Sequence, residues 1–210
     1  MTEVKVCGLT RLEDVALACE LGAAYLGFNF AAVSQRRVTA AEGRRLSDAA
    51  APGVSRVGVF VGESYEMIAQ LCDAARLDLV QLHRELSAED VRRVPRPVIA
   101  VTRVSAAGAT VPAADLLASC RALLFDAAAP GHAGGAGVAF DWRSIEGRSF
   151  PVPFFLAGGL TPENVGEAVA RVRPPAVDVA SGVESSPGVK DRGRMTRFFE
   201  AVRRADAQAR

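Results

Sequence analysis

Residues 154–183 read FFLAGGLTPENVGEAVARVRPPAVDVASGV, and the pattern of this stretch recurs along the chain. An apolar run at 154–157 meets a Gly-Gly pair, and Thr161-Pro162-Glu163-Asn164 then puts proline at the first position of a predicted helix, where its missing N–H is harmless. A second apolar run, 176–180, follows and ends on Ser181-Gly182. Strand, helix and strand in that order make a parallel pair joined by a helical crossover.

Working outward, further apolar runs fall at 3–7, 24–29, 55–61, 79–82, 97–101 and 122–126. They are rich in Val, Leu and Phe and continuous rather than alternating, as strands covered on both faces must be. Helical patterns lie between them. Leu12, Val15, Ala16 and Cys19 follow a Thr10 start and stop at Gly22; Ser64 opens a helix with Met67, Ile68 and Leu71 on one face; Ser87 precedes another at 88–94; the last spans about 191–205. The Ala/Gly-rich stretch 127–139 is the longest irregular region, while 49–53 and 106–114 read as ordinary connections. A closed barrel and an open doubly wound sheet both fit, and the strand count favours the barrel, built as a single domain over residues 1–210.

Bulk properties narrow the function. In 210 residues, 50% of them hydrophobic, there is enough apolar material for a core without disulfides or metals. The formal charge of +1 offers no basic field for nucleic acid or anionic membrane. Cys7, Cys19, Cys72 and Cys120 form no CxxC pair and only two histidines occur, so a metal site is not expected. Cys19, Cys72 and Cys120 read as small buried hydrophobes. With no leader pattern and no apolar run of membrane length, the expected location is cytoplasmic.

In a barrel the chemistry gathers where strands end, and here those ends carry Cys7, Asn29, His83, Arg103, Asp126, Gly158-Gly159 and Ser181-Gly182. The two glycine loops after the last two strands suit a phosphate, since bare backbone N–H groups approach it closely; tight-turn geometry is the alternative. Cys7 is a general base if nearby positive charge lowers its pKa, and a packing residue otherwise. Asp126 ends an apolar run, where desolvation favours a protonated acid; a loop cap is the other reading. Arg36 offers a guanidinium to a substrate carboxylate, and Arg37 reads as solvated. His83 reads as structural or secondary. Lys5, two residues before Cys7, points the same way and needs a buried partner, for which Asp178 is the candidate.

The motifs KVCGLT (5–10), LGFNF (26–30), SQRRV (34–38), VGVFV (57–61), VQLH (80–83), LLFDA (123–127), GGAG (134–137) with FDW (140–142), LAGGLTPENV (156–165) and VDVASGVESSPGVKD (177–191) resemble phosphoribosylanthranilate isomerase in order and coverage. The resemblance implies a single (β/α)₈ TIM barrel that performs an Amadori rearrangement in tryptophan biosynthesis, without metal or cofactor. It implies Cys7 as base, Asp126 as acid and Arg36 for the anthranilate carboxylate. For substrate phosphate it implies Gly158, Gly159, Ser181 and Gly182, with Gly135 and Gly137 in the loop after Asp126. The partner implied is a small phosphorylated sugar, bound by a monomer or homodimer. The chain departs from the family pattern at Gln35, Arg84, Ala136 and Ala180. Arg84 replaces a usual glycine and would crowd the mouth or add an anion contact. A divergent paralogue acting on a related phosphorylated aminosugar, and a non-catalytic phosphate-ester-binding barrel, are the alternatives.

Overall fold

The computed structural model describes residues 1–105, 108–127 and 141–208. Eight parallel strands alternate with helices: β1 (Glu3–Cys7), β2 (Tyr25–Asn29), β3 (Ser55–Phe60), β4 (Leu79–Leu82), β5 (Val98–Ser105), β6 (Ala122–Ala127), β7 (Phe154–Leu156) and β8 (Ala176–Val179). Their order around the sheet is β4-β3-β2-β1-β8-β7-β6-β5, and a further pairing of β4 with β5 closes the ring. This is the (β/α)₈ barrel. The helices are α1 (Leu12–Leu21), α2 (Ala40–Asp48), α3 (Tyr65–Ala74), α4 (Ala88–Arg92), α5 (Ala114–Ser119), α6 (Val165–Val172) and α7 (Arg192–Gln208). Among the described residues, the β6–β7 crossover holds a 3₁₀ turn, Trp142–Ser144. None of the described helices is long and apolar enough to cross a membrane.

Alternation along each strand sorts its side chains into two layers. Val57, Leu79, Ile99, Ala122, Leu124, Phe155 and Ala176 fill the barrel interior as one cluster. Their neighbours Val80, Val98, Ala100, Leu123, Phe125, Leu156 and Val177 join the larger cluster beneath the helices. Both faces are therefore covered, which is why the strands read as unbroken apolar runs. One charged pair sits in this interior. Lys5 is fully buried and its Nζ donates to Asp178 Oδ1 at 2.9 Å, across the β1–β8 register where the two residues are partners.

Local signals held at some boundaries and failed at others. Ser64 and Ser87 cap α3 and α4, their hydroxyls accepting from Met67 and Asp90 N–H. Gly22 closes α1 with φ 91°. Thr10 does not cap α1; its hydroxyl donates to the Gly188 carbonyl at 2.6 Å, a tertiary contact that outcompetes the local one. Pro162 does not open a helix either. Asn164 Oδ1 accepts from Thr161 N–H at 2.8 Å, holding a turn that delays α6 to Val165. Met67 turns to solvent, and Ile68 and Cys72 form the buried face of α3.

Candidate active site

Cys7 is the last residue of β1 and alternates with inward Lys5, so its thiol points into the barrel mouth. It is 8% exposed. A Cβ placed on Gly27 of the neighbouring strand would lie 2.8 Å from Cys7 Sγ and 3.1 Å from Lys5 Nζ. The thiol and the ammonium thus converge over a glycine that leaves them room. Burial pushes the Cys7 thiol up, and Lys5 works against that by favouring the thiolate. Lys5 is itself held above the ordinary lysine value, because Asp178 and Cys7 outweigh the desolvation that lowers it.

Asp126 lies next to the end of β6, 7% exposed, in the inward alternation of Ala122 and Leu124. Its register partner on β5 is Arg103. Cys7 and Asp126 therefore face one interior from the same end of the barrel, on strands separated by β7 and β8. His83, just beyond β4, contacts the Gln81 amide nitrogen through Nε2 at 2.6 Å. Burial, with Lys5 and Arg103 nearby, lowers its pKa to about 4, so the imidazole is neutral at pH 7 and can offer the site only a neutral hydrogen-bonding ring. Arg84 lines the space beside His83 and Arg103. Its Nη1 donates to the Glu63 carbonyl at 2.9 Å and its guanidinium lies 4.6 Å from the Tyr65 ring centre.

Arg36 comes from the loop after β2, and its Cδ occupies the space where a Gly8 Cβ would fall, at 2.4 Å. Gly8, at φ 74°, thus lets the arginine cross the end of β1. Its Nε and Nη2 donate to Glu184 at 2.9 and 2.7 Å. Glu184 and Lys190 face each other across the hairpin Glu184–Ser186 with Val189–Lys190. Lys190 Nζ donates to Glu184 Oε1 at 2.9 Å and to the Cys7 carbonyl at 2.6 Å. The sequence reading missed both residues. Their signal was two opposite charges flanking the turn Ser185-Ser186-Pro187-Gly188.

Gly158 and Gly159 follow β7 with φ of 81° and 63°, a left-handed pair that only glycine adopts without strain. Ser181 and Gly182 form the 3₁₀ turn after β8. A Cβ on Gly182 would meet the Leu160 carbonyl at 1.9 Å, so the two loops are packed backbone to backbone. Together with Thr161, Arg194 and Arg197 they border a polar cavity of about 510 Å³. A larger one, about 730 Å³, opens beside His83 and Arg103 between the loops that follow β4 and β5. Gly135 and Gly137, and the variant Ala136, lie outside the described residues.

Residues 4–201 match the family described as N-(5'phosphoribosyl)anthranilate (PRA) isomerase. The chain is 44% identical over 199 residues to an N-(5'-phosphoribosyl)anthranilate isomerase of Pseudomonas fluorescens (strain Pf0-1), covering 95% of this chain and 97% of that one. Among solved structures, phosphoribosyl anthranilate isomerase from Thermus thermophilus superposes with a TM-score of 0.84 at 37% identity, covering 97% of this chain and 99% of that one. Another superposes at 0.77 with 34% identity and the same coverage, and is a phosphoribosyl anthranilate isomerase in complex with reduced 1-(o-carboxyphenylamino)-1-deoxyribulose 5-phosphate.

Proposed function

The chain belongs to the phosphoribosylanthranilate isomerase family, and from that premise we propose how its own residues carry the reaction. The protein converts N-(5-phosphoribosyl)anthranilate to 1-(2-carboxyphenylamino)-1-deoxyribulose 5-phosphate, an Amadori rearrangement in tryptophan biosynthesis. Asp126 protonates the ribose ring oxygen; the C1′–O4′ bond breaks as the aryl nitrogen's lone pair forms the iminium. Cys7, as thiolate, removes the C2′ proton, and those electrons form the C1′=C2′ bond of an enolamine. Loss of the enol proton and protonation at C1′ complete the ketone. Arg36 holds the anthranilate carboxylate. The Gly158-Gly159 and Ser181-Gly182 backbones hold the phosphate, with Gly135 and Gly137 in the loop beyond Asp126.

What supports this reading is the inward, same-end placement of a buried thiol and a buried carboxyl on one barrel, with two backbone-packed glycine loops beside them. Removing a general acid or base costs about 10²–10⁴-fold in rate. Cys7→Ser and Asp126→Asn should each lose turnover on that scale while phosphate-ester affinity and thermal unfolding stay near those of the parent, as followed by loss of substrate fluorescence. Near-parental turnover in either variant would overturn the roles.

A further inference from the structure

Arg36 is held along one edge by the protein itself. Its Nε and Nη2 are taken by Glu184, and among the described residues no hydrogen bond engages Nη1. Glu184 is fixed from its other side, where Oε1 also accepts Lys190 Nζ at 2.9 Å and the Gly188 N–H at 3.2 Å. Lys190 is fully used as well: its remaining protons go to the Cys7 carbonyl at 2.6 Å and the Ala180 carbonyl at 3.1 Å. The side chains of Glu184 and Lys190 are 4% and 0% exposed.

We propose that Glu184, locked by Lys190, is a positioning residue that sets specificity for a carboxylated aryl amine: it covers the Nε–Nη2 edge of Arg36 and leaves the Nη1 end for the substrate carboxylate. The inference rests on the role given to Arg36 above. Charge supports it. Arg36 and Glu184 offset one another, and Lys190 leaves the cluster with one net positive charge. A carboxylate entering at Nη1 neutralises it; an uncharged ring leaves it unpaired in a largely desolvated place. A guanidinium already ordered also loses less side-chain freedom on binding. The same lysine grips the Cys7 carbonyl, so the end of the strand bearing the base and the arginine are referenced to one hairpin.

Two stable ligands test this by calorimetry: 1-(2-carboxyphenylamino)-1-deoxyribitol 5-phosphate and its phenylamino counterpart lacking the carboxyl. The parent should prefer the first by roughly tenfold to a hundredfold, the range of hydrogen bonds between charged groups. Glu184→Ala should erase most of that preference by weakening the carboxylated ligand alone. Glu184→Gln keeps the shape but turns an amide NH₂ against the guanidinium, and should lower the preference too; it decides the matter if the alanine variant does not fold. A parental preference in the folded variants, or an equal loss for both ligands, overturns the proposal. No preference in the parent would instead remove the Arg36 role on which it rests.

Discussion

A thiol meant to act as a base is here buried against two lysines, and burial wins: the Cys7 pKa is raised even though Lys5 and Lys190 oppose it. The thiolate fraction is then small at neutral pH and grows about tenfold per unit below the pKa. kcat/KM should climb with pH between 7 and 9, and Lys5→Met, leaving desolvation less opposed, should shift that limb to higher pH; a flat profile in the parent would contradict the base role. Gly27→Ala presses a methyl onto Cys7 Sγ and Lys5 Nζ, and should cost about 1–3 kcal/mol in stability together with turnover. His83 gives a stability signature of its own. Unfolded, it binds a proton near 6.5; folded, only near 4, so the unfolded state holds more protons between those values. Stability should be level above about pH 7 and fall by on the order of 2 kcal/mol as pH drops from 6.5 toward 4. His83→Asn should flatten that slope in urea titrations at pH 7 and pH 5.

At the scale of elements, α2 and α4 begin with reciprocal capping boxes, Thr39 with Glu42 and Ser87 with Asp90. Ser87→Ala should cost about 1 kcal/mol by orphaning an N–H, measured as a shift in urea midpoint with unchanged kcat. Ser87 was legible as a helix start because the N–H it caps sits three residues away, whereas α2 and its Thr39 cap went unread. The strands were legible for a different reason: cover on both faces removes polar alternation, so each run stands out. Thr10 and Pro162 misled because groups that are remote, or beyond the first turn, claimed their neighbourhood: the Gly188 carbonyl in one case and the Asn164 side chain in the other. Within the candidate site, Lys5 and Asp178 could be paired in advance because two buried charges on strands must meet. Glu184 could not, since nothing local announces Arg36 as its partner across 148 positions. What anchors Arg84, its stacking on Tyr65, is likewise invisible without the fold.

For the whole molecule, the β1–β8 seam joins the beginning of the chain to its end. Thr2 donates to Asp206, Lys5 to Asp178, and Lys190 to the Cys7 carbonyl. The Lys5–Asp178 pair is the part of that seam inside the barrel, where desolvation of both ions offsets much of their attraction. Its worth to stability and its worth to chemistry can therefore be separated. Asp178→Leu alone strands a fully buried ammonium and should destabilise the barrel by about 3–5 kcal/mol. Lys5→Met combined with Asp178→Leu fills the same space with apolar atoms, and should recover most of that loss, giving a large coupling energy in a double-mutant cycle by urea denaturation. Turnover should not recover with it, because Lys5 is the cation that most favours the Cys7 thiolate and methionine supplies no charge in its place. A double variant restored in both stability and kcat would show that the interior ion pair serves the barrel alone, whereas one stable but slow places Lys5 in the machinery around Cys7.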